Sequence, residues 1–214
     1  MKVVSLNTGL PREVEAGGQT VRTSIWKSPR DGRVAVTMLN LDGDAQSDLT
    51  VHGGPMKAVY CYPSEHYAYW REELPEAALP WGVFGENLTT EGLLESRISI
   101  GDRFAVGTAE FRVTQPRQPC FKLGIRFGRD DIIKRFVESG RSGFYVAVVR
   151  EGTVARGDRI HILGREANSM TVATIVSLRY GDADRDALTR AAALPSLSEG
   201  WREHFRKRAE APQG

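Results

Sequence analysis

Short segments of alternating or β-branched apolar residues, separated by turns, constrain the fold of this chain more than any other feature. They span residues 2–6, 23–26, 33–38, 58–62, 97–100, 109–114, 144–149 and 159–163. Pairs such as Asp31-Gly32, Asp42-Gly43 and Gly157-Asp158 supply turn residues between them. Many short strands joined by polar turns are typical of a closed or nearly closed barrel rather than of a layered parallel sheet.

Two helices are predicted among these strands. Residues 65–73 follow Ser64, a favourable capping residue, and place Tyr67 and Trp70 on one helical face. Residues 132–139 show the same helical spacing of apolar side chains and are followed by a glycine that can end the helix. Both segments are therefore expected to pack against the barrel.

The pattern becomes helical from about Glu166 to the end of the chain. Residues 171–179 and 184–193 form two candidate helices, and the run 196–199 offers a capping box for a third. Residues after 205 are expected to fray.

These patterns together predict a mainly β fold of the α+β class. We expect an irregular barrel domain with inserted helices over residues 1–165, followed by a small three-helix domain over residues 166–214.

Composition argues against several classes of function. Lys and Arg number 29 against 27 Asp and Glu, so no bulk charge favours stable binding to nucleic acid or to an anionic membrane. The chain starts without a secretory leader and has no apolar run that could span a bilayer, which predicts a cytoplasmic protein. Its two cysteines, Cys61 and Cys120, do not make a disulfide framework. Cys61 shares a strand face with Val59 and is expected to pack in the core.

Cys120 is the residue whose surroundings most indicate chemistry. It follows Pro119 and has Arg117 and Lys122 nearby, and neighbouring cations favour the reactive thiolate. The prolines predict a stiff loop after the preceding strand rather than a helix. The residues alone leave two interpretations equally open, a functional thiolate and a buried structural thiol.

Other polar residues occur where strands end. His52 precedes Gly53 and Gly54, where it could donate a proton or simply hold a turn by hydrogen bonding. Glu86 and Asn87 form a turn after Gly85, which taken by itself is an ordinary Gly-Asn turn. Lys27 and Lys57 would by default be solvated charges.

Three separated motifs resemble those of MOSC domains, specifically the bacterial YiiM-like group. They read DLTVHGGPMKAVY at residues 48–60, GENLTT at residues 85–90 and QPRQPCFKL at residues 115–123. Residues 23–29 are similar to the N-terminal strand of that group, and the tail resembles the three-helix domain that follows its barrel. The resemblance spans nearly the whole chain.

The resemblance implies a molybdenum cofactor, in which molybdopterin holds the metal and Cys120 supplies the protein thiolate. It implies a cofactor site formed by Lys27, His52, Gly53, Gly54, Lys57, Glu86, Asn87, Arg117 and Gln118. Lys27 and Lys57 would bind the pterin phosphate, and Cys120 with His52 would be the catalytic residues.

The activity implied by the resemblance is reduction of N-hydroxylated compounds such as N-hydroxylated purine base analogues. A separate flavin or iron–sulfur protein would supply electrons, because the sequence shows no flavin or nucleotide fingerprint and no cysteine quartet. The helical tail is expected to serve contacts or docking of that donor. Two alternatives stay open, a sulfur- or cofactor-carrier module using Cys120 and a cysteine–histidine hydrolase using Cys120 and His52.

Overall fold

The computed structural model describes residues 1–47 and 53–211. Its strands are β1 (Lys2–Thr8), β2 (Arg12–Ala16), β3 (Gln19–Thr23), β4 (Ser28–Pro29), β5 (Arg33–Val36), β6 (Val59–Pro63), β7 (Leu88–Glu91), β8 (Arg103–Val106), β9 (Ala109–Pro116), β10 (Phe144–Arg150), β11 (Gly152–Ala155) and β12 (Ile160–Gly164). Its helices are α1 (His66–Glu73), α2 (Phe121–Phe127), α3 (Ile132–Glu138), α4 (Val172–Tyr180), α5 (Arg185–Ala192) and α6 (Glu199–Glu210), with a 3-10 turn at Pro55–Lys57.

Eight strands form one strongly curled mixed sheet. Its order is β12-β8-β9-β10-β6-β7-β1-β4, with β6 and β7 parallel and the other neighbours antiparallel. The amide of Val3 donates to the carbonyl of Asp158 at 2.9 Å, and the amide of Ile160 donates to the carbonyl of Met1 at 3.1 Å. The chain at the start of β12 therefore approaches the start of β1, but the sheet does not close into a barrel. The predicted α+β class is confirmed.

The main core lies inside the curl of the sheet. Strand β9 alternates buried and half-buried residues over its first half, as period two requires. Phe104 and Phe111 stack with ring centres 5.5 Å apart, and both are fully buried. Cys61 belongs to this core, as predicted, and burial raises the pKa of its thiol well above the ordinary value.

A second apolar cluster supports the outer face of β6. Tyr62, Trp70, Phe84 and Phe136 are buried together between β6, α1 and α3. The indole of Trp70 donates to the Tyr62 hydroxyl at 2.6 Å, so the polar atoms of these rings are satisfied within the cluster. This cluster fixes the strand that carries Tyr60.

The C-terminal helices share the main core with the sheet. Val172, Ile175 and Phe205 belong to the same buried cluster as the strand residues. The amide of Ile100 donates to the carbonyl of Met170, and the amide of Val172 donates to the carbonyl of Ile98, both at 2.9 Å. The three predicted helices are thus present as α4, α5 and α6, whereas the boundary between residues 165 and 166 stays a prediction.

Two segments that were predicted to be strands are irregular. Residues 24–27 lie outside the strands, with the amide of Ile25 bonded to the Thr23 hydroxyl at 3.2 Å. Residues 97–100 belong to no strand, because Ser99 makes only an isolated antiparallel bridge with Thr171 and its amide donates to the Asp102 carboxylate at 2.9 Å. At both places a side-chain oxygen thus accepts a backbone amide that regular sheet pairing would otherwise use.

Two helical expectations are also corrected. The segment after Cys120 forms helix α2 because Leu123 is buried and Gly128, at φ 64°, ends the turn. The predicted loop therefore shrinks to residues 117–120. Residues 206–210 were expected to fray, but this expectation is wrong. Helix α6 continues to Glu210 and buries Ala209. Among the described residues, no helix combines the length and apolar character needed to cross a membrane.

Candidate functional site

Cys120 lies at the mouth of a cleft between the end of β9 and the start of α2. The cleft contains about 680 Å³ of empty space, including the part open to solvent. The described residues of its wall include four cations and one carboxylate: Lys27, Lys57, Arg117, Lys122 and Asp44. The cleft is therefore suited to an anionic ligand.

Arg117 places a buried positive charge beside Cys120. Only 6% of Arg117 is exposed, and its guanidinium lies 5.0 Å from the ring centre of Tyr60 and 5.3 Å from that of Phe136. Burial alone would lower the pKa of Arg117, but facing groups, among them Tyr60 and Cys120, raise it above its ordinary value. Its Nη1 atom is buried and has no hydrogen-bond partner within the described part of the chain. Such a donor is costly unless a ligand completes it.

Lys27 is held in a buried network in the wall of the cleft. Its Nζ lies 2.5 Å from Oδ1 of Asp44, and the two side chains are only 8% and 4% exposed. Burial lowers the pKa of Lys27, and the adjacent Asp44 opposes that shift. Asp44 Oδ2 also accepts a hydrogen bond from Nδ2 of Asn87 at 2.8 Å. The ammonium of Lys27 has two further donor positions that no hydrogen bond among residues 1–47 and 53–211 uses.

The side chain of Asn87 cross-links segments of the cleft wall by hydrogen bonds. Its Oδ1 accepts the amide of Tyr60 at 3.0 Å, and its Nδ2 also donates to the carbonyl of Asn7 at 3.3 Å. Asn87 lines the cleft, but these bonds already occupy both ends of its amide. Gly85 lies directly over Ile25, where a Cβ would approach Cγ1 to 2.9 Å, so this turn needs glycine.

Glu86 lies fully buried behind the cleft rather than along it. Its Oε1 accepts from the Tyr67 hydroxyl at 2.5 Å, the Gly82 amide at 2.8 Å and the Thr89 hydroxyl at 2.9 Å. Burial raises the pKa of its carboxyl above the ordinary value. The structure therefore places Glu86 where it organises the turn, and its predicted pterin contact stays a prediction.

The glycine motif borders the cleft next to Lys57. The amide of Gly54 donates to Oε1 of Gln46 at 2.7 Å, and Nε2 of Gln46 donates to the carbonyl of Lys57 at 3.2 Å. Lys57 and Gln118 line the cleft, and their predicted cofactor contacts stay predictions. Gly53 and Gly54 lie beside this wall. His52, the predicted proton donor, lies outside the described residues.

Two tyrosines and a serine of the cleft carry no motif and were not predicted from the sequence. Tyr60 and Tyr145 have ring centres 5.1 Å apart, and both line the wall next to Arg117. The alternation of side chains along β6 could have indicated Tyr60, because it places Tyr60 on the strand face opposite that of Cys61. Ser24 also lines the cleft, and its hydroxyl is buried with no partner among residues 1–47 and 53–211.

A second cavity adjoins the first at Cys120. It contains about 1540 Å³ of empty space, including the part open to solvent. Cys120, Gln118, Lys57 and Tyr145 line both cavities. The far wall of the second cavity is formed by α6 and the end of α4, through residues that include Arg179, Trp201, His204 and Lys207. Cys120 thus lies at the boundary between two chambers.

Comparisons with known proteins agree on one family. The MOSC domain model matches residues 48–161, and the model of the YiiM-like 3-alpha helix domain matches residues 170–211. YflK of Bacillus subtilis is 40% identical over 97% of this chain and 94% of its own length. A protein named reductase from Gibberella moniliformis is 30% identical over 90% of this chain, which covers 35% of that protein. The crystal structure of YiiM from Geobacillus stearothermophilus has a TM-score of 0.82 at 34% identity, covering 97% of this chain and 98% of that one.

Proposed function

Because the chain belongs to the MOSC family and carries a YiiM-like three-helix domain, we propose that it is a molybdenum-cofactor-dependent reductase of N-hydroxylated compounds. A function related to the molybdenum cofactor is what the family indicates, and the fungal relative is named a reductase. The observation that carries the finer proposal is the position of Cys120 between a cationic cleft and a second cavity.

The residues of the cleft fit an anionic pterin cofactor. Molybdenum prefers soft ligands, and Cys120 offers a thiolate at the cleft mouth. Lys57, Lys122 and the unused donors of Lys27 can bind a phosphate group. The buried Nη1 of Arg117, which lacks a partner in the described part of the chain, needs an acceptor of the kind that a pterin or phosphate oxygen provides.

The proposed reaction converts an N–OH group into N–H with release of water. The N–O bond breaks with consumption of two electrons and two protons. When bound, the molybdenum cofactor supplies the two-electron redox centre for this step. A separate flavin or iron–sulfur protein restores the electrons in this proposal, and the protons come from solvent or from His52.

The chain's own residues would bind, orient and shield this centre. Cys120 anchors the cofactor from the protein side, and Arg117 holds a permanent positive charge next to that thiolate. Tyr60 and Tyr145 cover the inner side of the guanidinium, which keeps the charge in a poorly hydrated environment where it acts strongly. The Lys27–Asp44 pair holds two segments of the cleft wall together.

The second cavity favours an enzyme over a carrier module. A carrier that uses Cys120 to hold sulfur or pass on a cofactor needs no chamber on the other side of the cysteine, whereas a reductase needs space for a substrate. A hydrolase would depend on His52.

Metal analysis and a reduction assay test the proposal together. The protein is purified from a host that makes molybdopterin, and its molybdenum content is compared with turnover of an N-hydroxylated purine base by a chemically reduced viologen. We expect molybdenum near one per chain and formation of the aminopurine. Molybdenum without turnover of any N-hydroxylated compound would support the carrier instead.

A further inference from the structure

Two arginines lie against the ring of Trp26. The Arg12 guanidinium is 4.0 Å from the ring centre and the Arg126 guanidinium is 5.6 Å from it. Neither guanidinium forms an ion pair within residues 1–47 and 53–211. Nε of Arg126 is also buried without a hydrogen-bond partner among those residues. The described part of the fold therefore leaves two neighbouring positive charges unneutralised.

The two arginines repel each other at this ring. Burial lowers the pKa of Arg126, and the positive charge of Arg12 lowers it further, while Glu86 opposes the shift. An acidic group placed against both guanidiniums would offset this repulsion. A positive patch of this kind is typical of a surface that meets a negative patch on a partner.

The arginines lie close to the mouth of the cleft that contains Cys120. Ile25 and Lys27, the chain neighbours of Trp26, both line the cleft. Arg126 lies on α2, which begins directly after Cys120, so about 9 Å of helix separates these two residues at the usual rise per residue. A partner that docks here therefore approaches the residue that would anchor the metal.

Exposed apolar side chains flank the same region. Phe121, the residue after Cys120, is 55% exposed, and Leu10 is 66% exposed. Leu10 follows Gly9, whose missing Cβ would meet the carbonyl oxygen of Trp26 at 2.1 Å, so this part of the chain lies against Trp26. Apolar side chains beside aromatic and arginine side chains are typical of protein interfaces. We call the following residues the Trp26 face: Leu10, Arg12, Trp26, Phe121 and Arg126.

We propose that the Trp26 face docks the electron-donor protein, and that this donor presents carboxylates around its redox group. The carboxylates pair with Arg12 and Arg126, and the apolar side chains of the face contact the donor between them. In a symmetric dimer through this face the arginines of two copies would meet, which disfavours a second copy of the chain as the occupant. The inference rests on the proposed function for the need of a donor, and it places docking at the cleft mouth rather than on α6.

The test supplies the full-length holoenzyme with two different reductants. A chemically reduced viologen needs no docking surface, whereas reduced flavodoxin, a small acidic flavin protein, does. Arg12→Glu reverses a charge at an exposed hairpin position, and Arg126→Gln removes one on α2. Arg156→Glu is the matched control, because Arg156 is exposed in a turn that bonds to Val3, at the opposite end of β1 from Leu10.

Flavodoxin binding is measured by calorimetry, and turnover of an N-hydroxylated purine is measured with each reductant. We expect Arg12→Glu and Arg126→Gln to weaken flavodoxin binding and to raise the KM for flavodoxin by about 3- to 10-fold at low salt. The difference should largely vanish at about 0.5 M salt, because salt screens exposed charges. Turnover with viologen and molybdenum content should stay unchanged, and Arg156→Glu should match the wild type throughout.

Three results would overturn the inference. The first is unaltered flavodoxin binding and KM in Arg12→Glu at low salt. The second is a wild type that reduces the purine with viologen but neither binds flavodoxin nor accepts its electrons. The third is a wild-type dimer that Arg12→Glu dissociates, since the face would then bind a second copy.

A wild type that reduces no N-hydroxylated compound even with viologen would reject the proposed function by itself. Flavodoxin binding that still weakens in Arg12→Glu and Arg126→Gln, but not in Arg156→Glu, would then support the Trp26 face as a surface for an acidic protein. The absence of any flavodoxin binding in the same protein would reject the face as well.

Discussion

Lys27 and Asp44 form an almost fully buried ion pair, with Nζ and Oδ1 2.5 Å apart, in the wall of the cleft that Arg117 also lines. The pair joins the segment after β3 to the segment after β5, and Asp44 also accepts bonds from the Gly9 amide and from Asn87. Lys27 is thus both part of the wall and a potential ligand for a phosphate. A single substitution of Lys27 would therefore change protein stability and phosphate binding at the same time.

A double substitution separates the two roles of Lys27. Lys27→Met leaves Asp44 buried and unpaired, and breaking such a pair costs about 3–5 kcal/mol of unfolding free energy. In Lys27→Met/Asp44→Asn the charge is gone, so we expect most of that stability to return while cofactor occupancy stays low. Urea unfolding and phosphate or molybdenum content provide the two measurements. Lys134→Glu, on an exposed face of α3, is the control, and full occupancy in the double variant would remove Lys27 from the cofactor site.

Cys120→Ser should abolish molybdenum retention while the protein still folds. A serine hydroxyl stays protonated at neutral pH and is not a soft ligand, so the metal loses its protein thiolate. Cys61→Ser is the matched control, because it makes the same change in the core. It buries a hydroxyl and is expected to lower stability by about 1–3 kcal/mol without changing molybdenum per folded chain. Equal molybdenum content in Cys120→Ser and the wild type would refute the central assignment.

Arg117→Met should separate stability from cofactor binding. The buried guanidinium has an Nη1 without a partner in the described residues, so replacing the arginine removes one unmet donor. The apolar side chain still packs against Tyr60 and Phe136. We expect the cofactor-depleted variant to melt no lower than the wild type, while its molybdenum content falls. Arg126→Met, which removes a half-buried arginine next to Trp26, should leave molybdenum content unchanged. A less stable Arg117→Met that keeps its cofactor would indicate a purely structural arginine.

The fold could be predicted from the sequence where the signal is local. Helix α1 follows from the spacing of Tyr67 and Trp70, and the periodicity after Glu166 indicated α4 to α6. The hairpin of β2 and β3 was missed because it is mostly exposed and shows little apolar alternation. Residues 23–26 resembled a strand through Ile25 and Trp26, yet the amide of Ile25 donates to the Thr23 hydroxyl instead of to a ladder partner.

The candidate site was predictable only in part, because some of its residues carry no local sequence signal. The resemblance selected Lys27, Lys57 and Arg117, which the fold brings into one cleft with Cys120. Gln115 and His204 are far apart in the chain and carry no motif. Their proximity to one cavity depends on how α6 packs against the sheet, which no local pattern records.

Glu86 predicts a pH dependence of stability. Burial raises the pKa of its carboxyl in the folded state, so the stability associated with the protonated form is present at acidic pH and is lost as the pH rises through the folded-state pKa. Glu86→Gln can keep an acceptor for Tyr67, Gly82 and Thr89 but does not ionise. The unfolding free energy of the variant minus that of the wild type should therefore be larger at pH 7.5 than at pH 4.5. The exposed Glu72→Gln should show no such change, and a pH-independent difference for Glu86→Gln would contradict the buried carboxylate.

Truncation after Arg165 should damage the folded barrel and not only the docking of an electron donor. Helices α4 to α6 contribute Val172, Ile175 and Phe205 to the same buried cluster as the strands, and the backbone of residues 170–173 bonds to residues 95–100. Removing them exposes apolar surface next to β9 and takes away the wall that carries His204. We expect lower solubility and loss of purine reduction even with a small artificial reductant. The matched control ends after Glu210, the last residue of α6, and should retain both properties. A soluble truncated protein that reduces the purine with an artificial reductant, and fails only with a protein donor, would show instead that the three-helix segment serves docking.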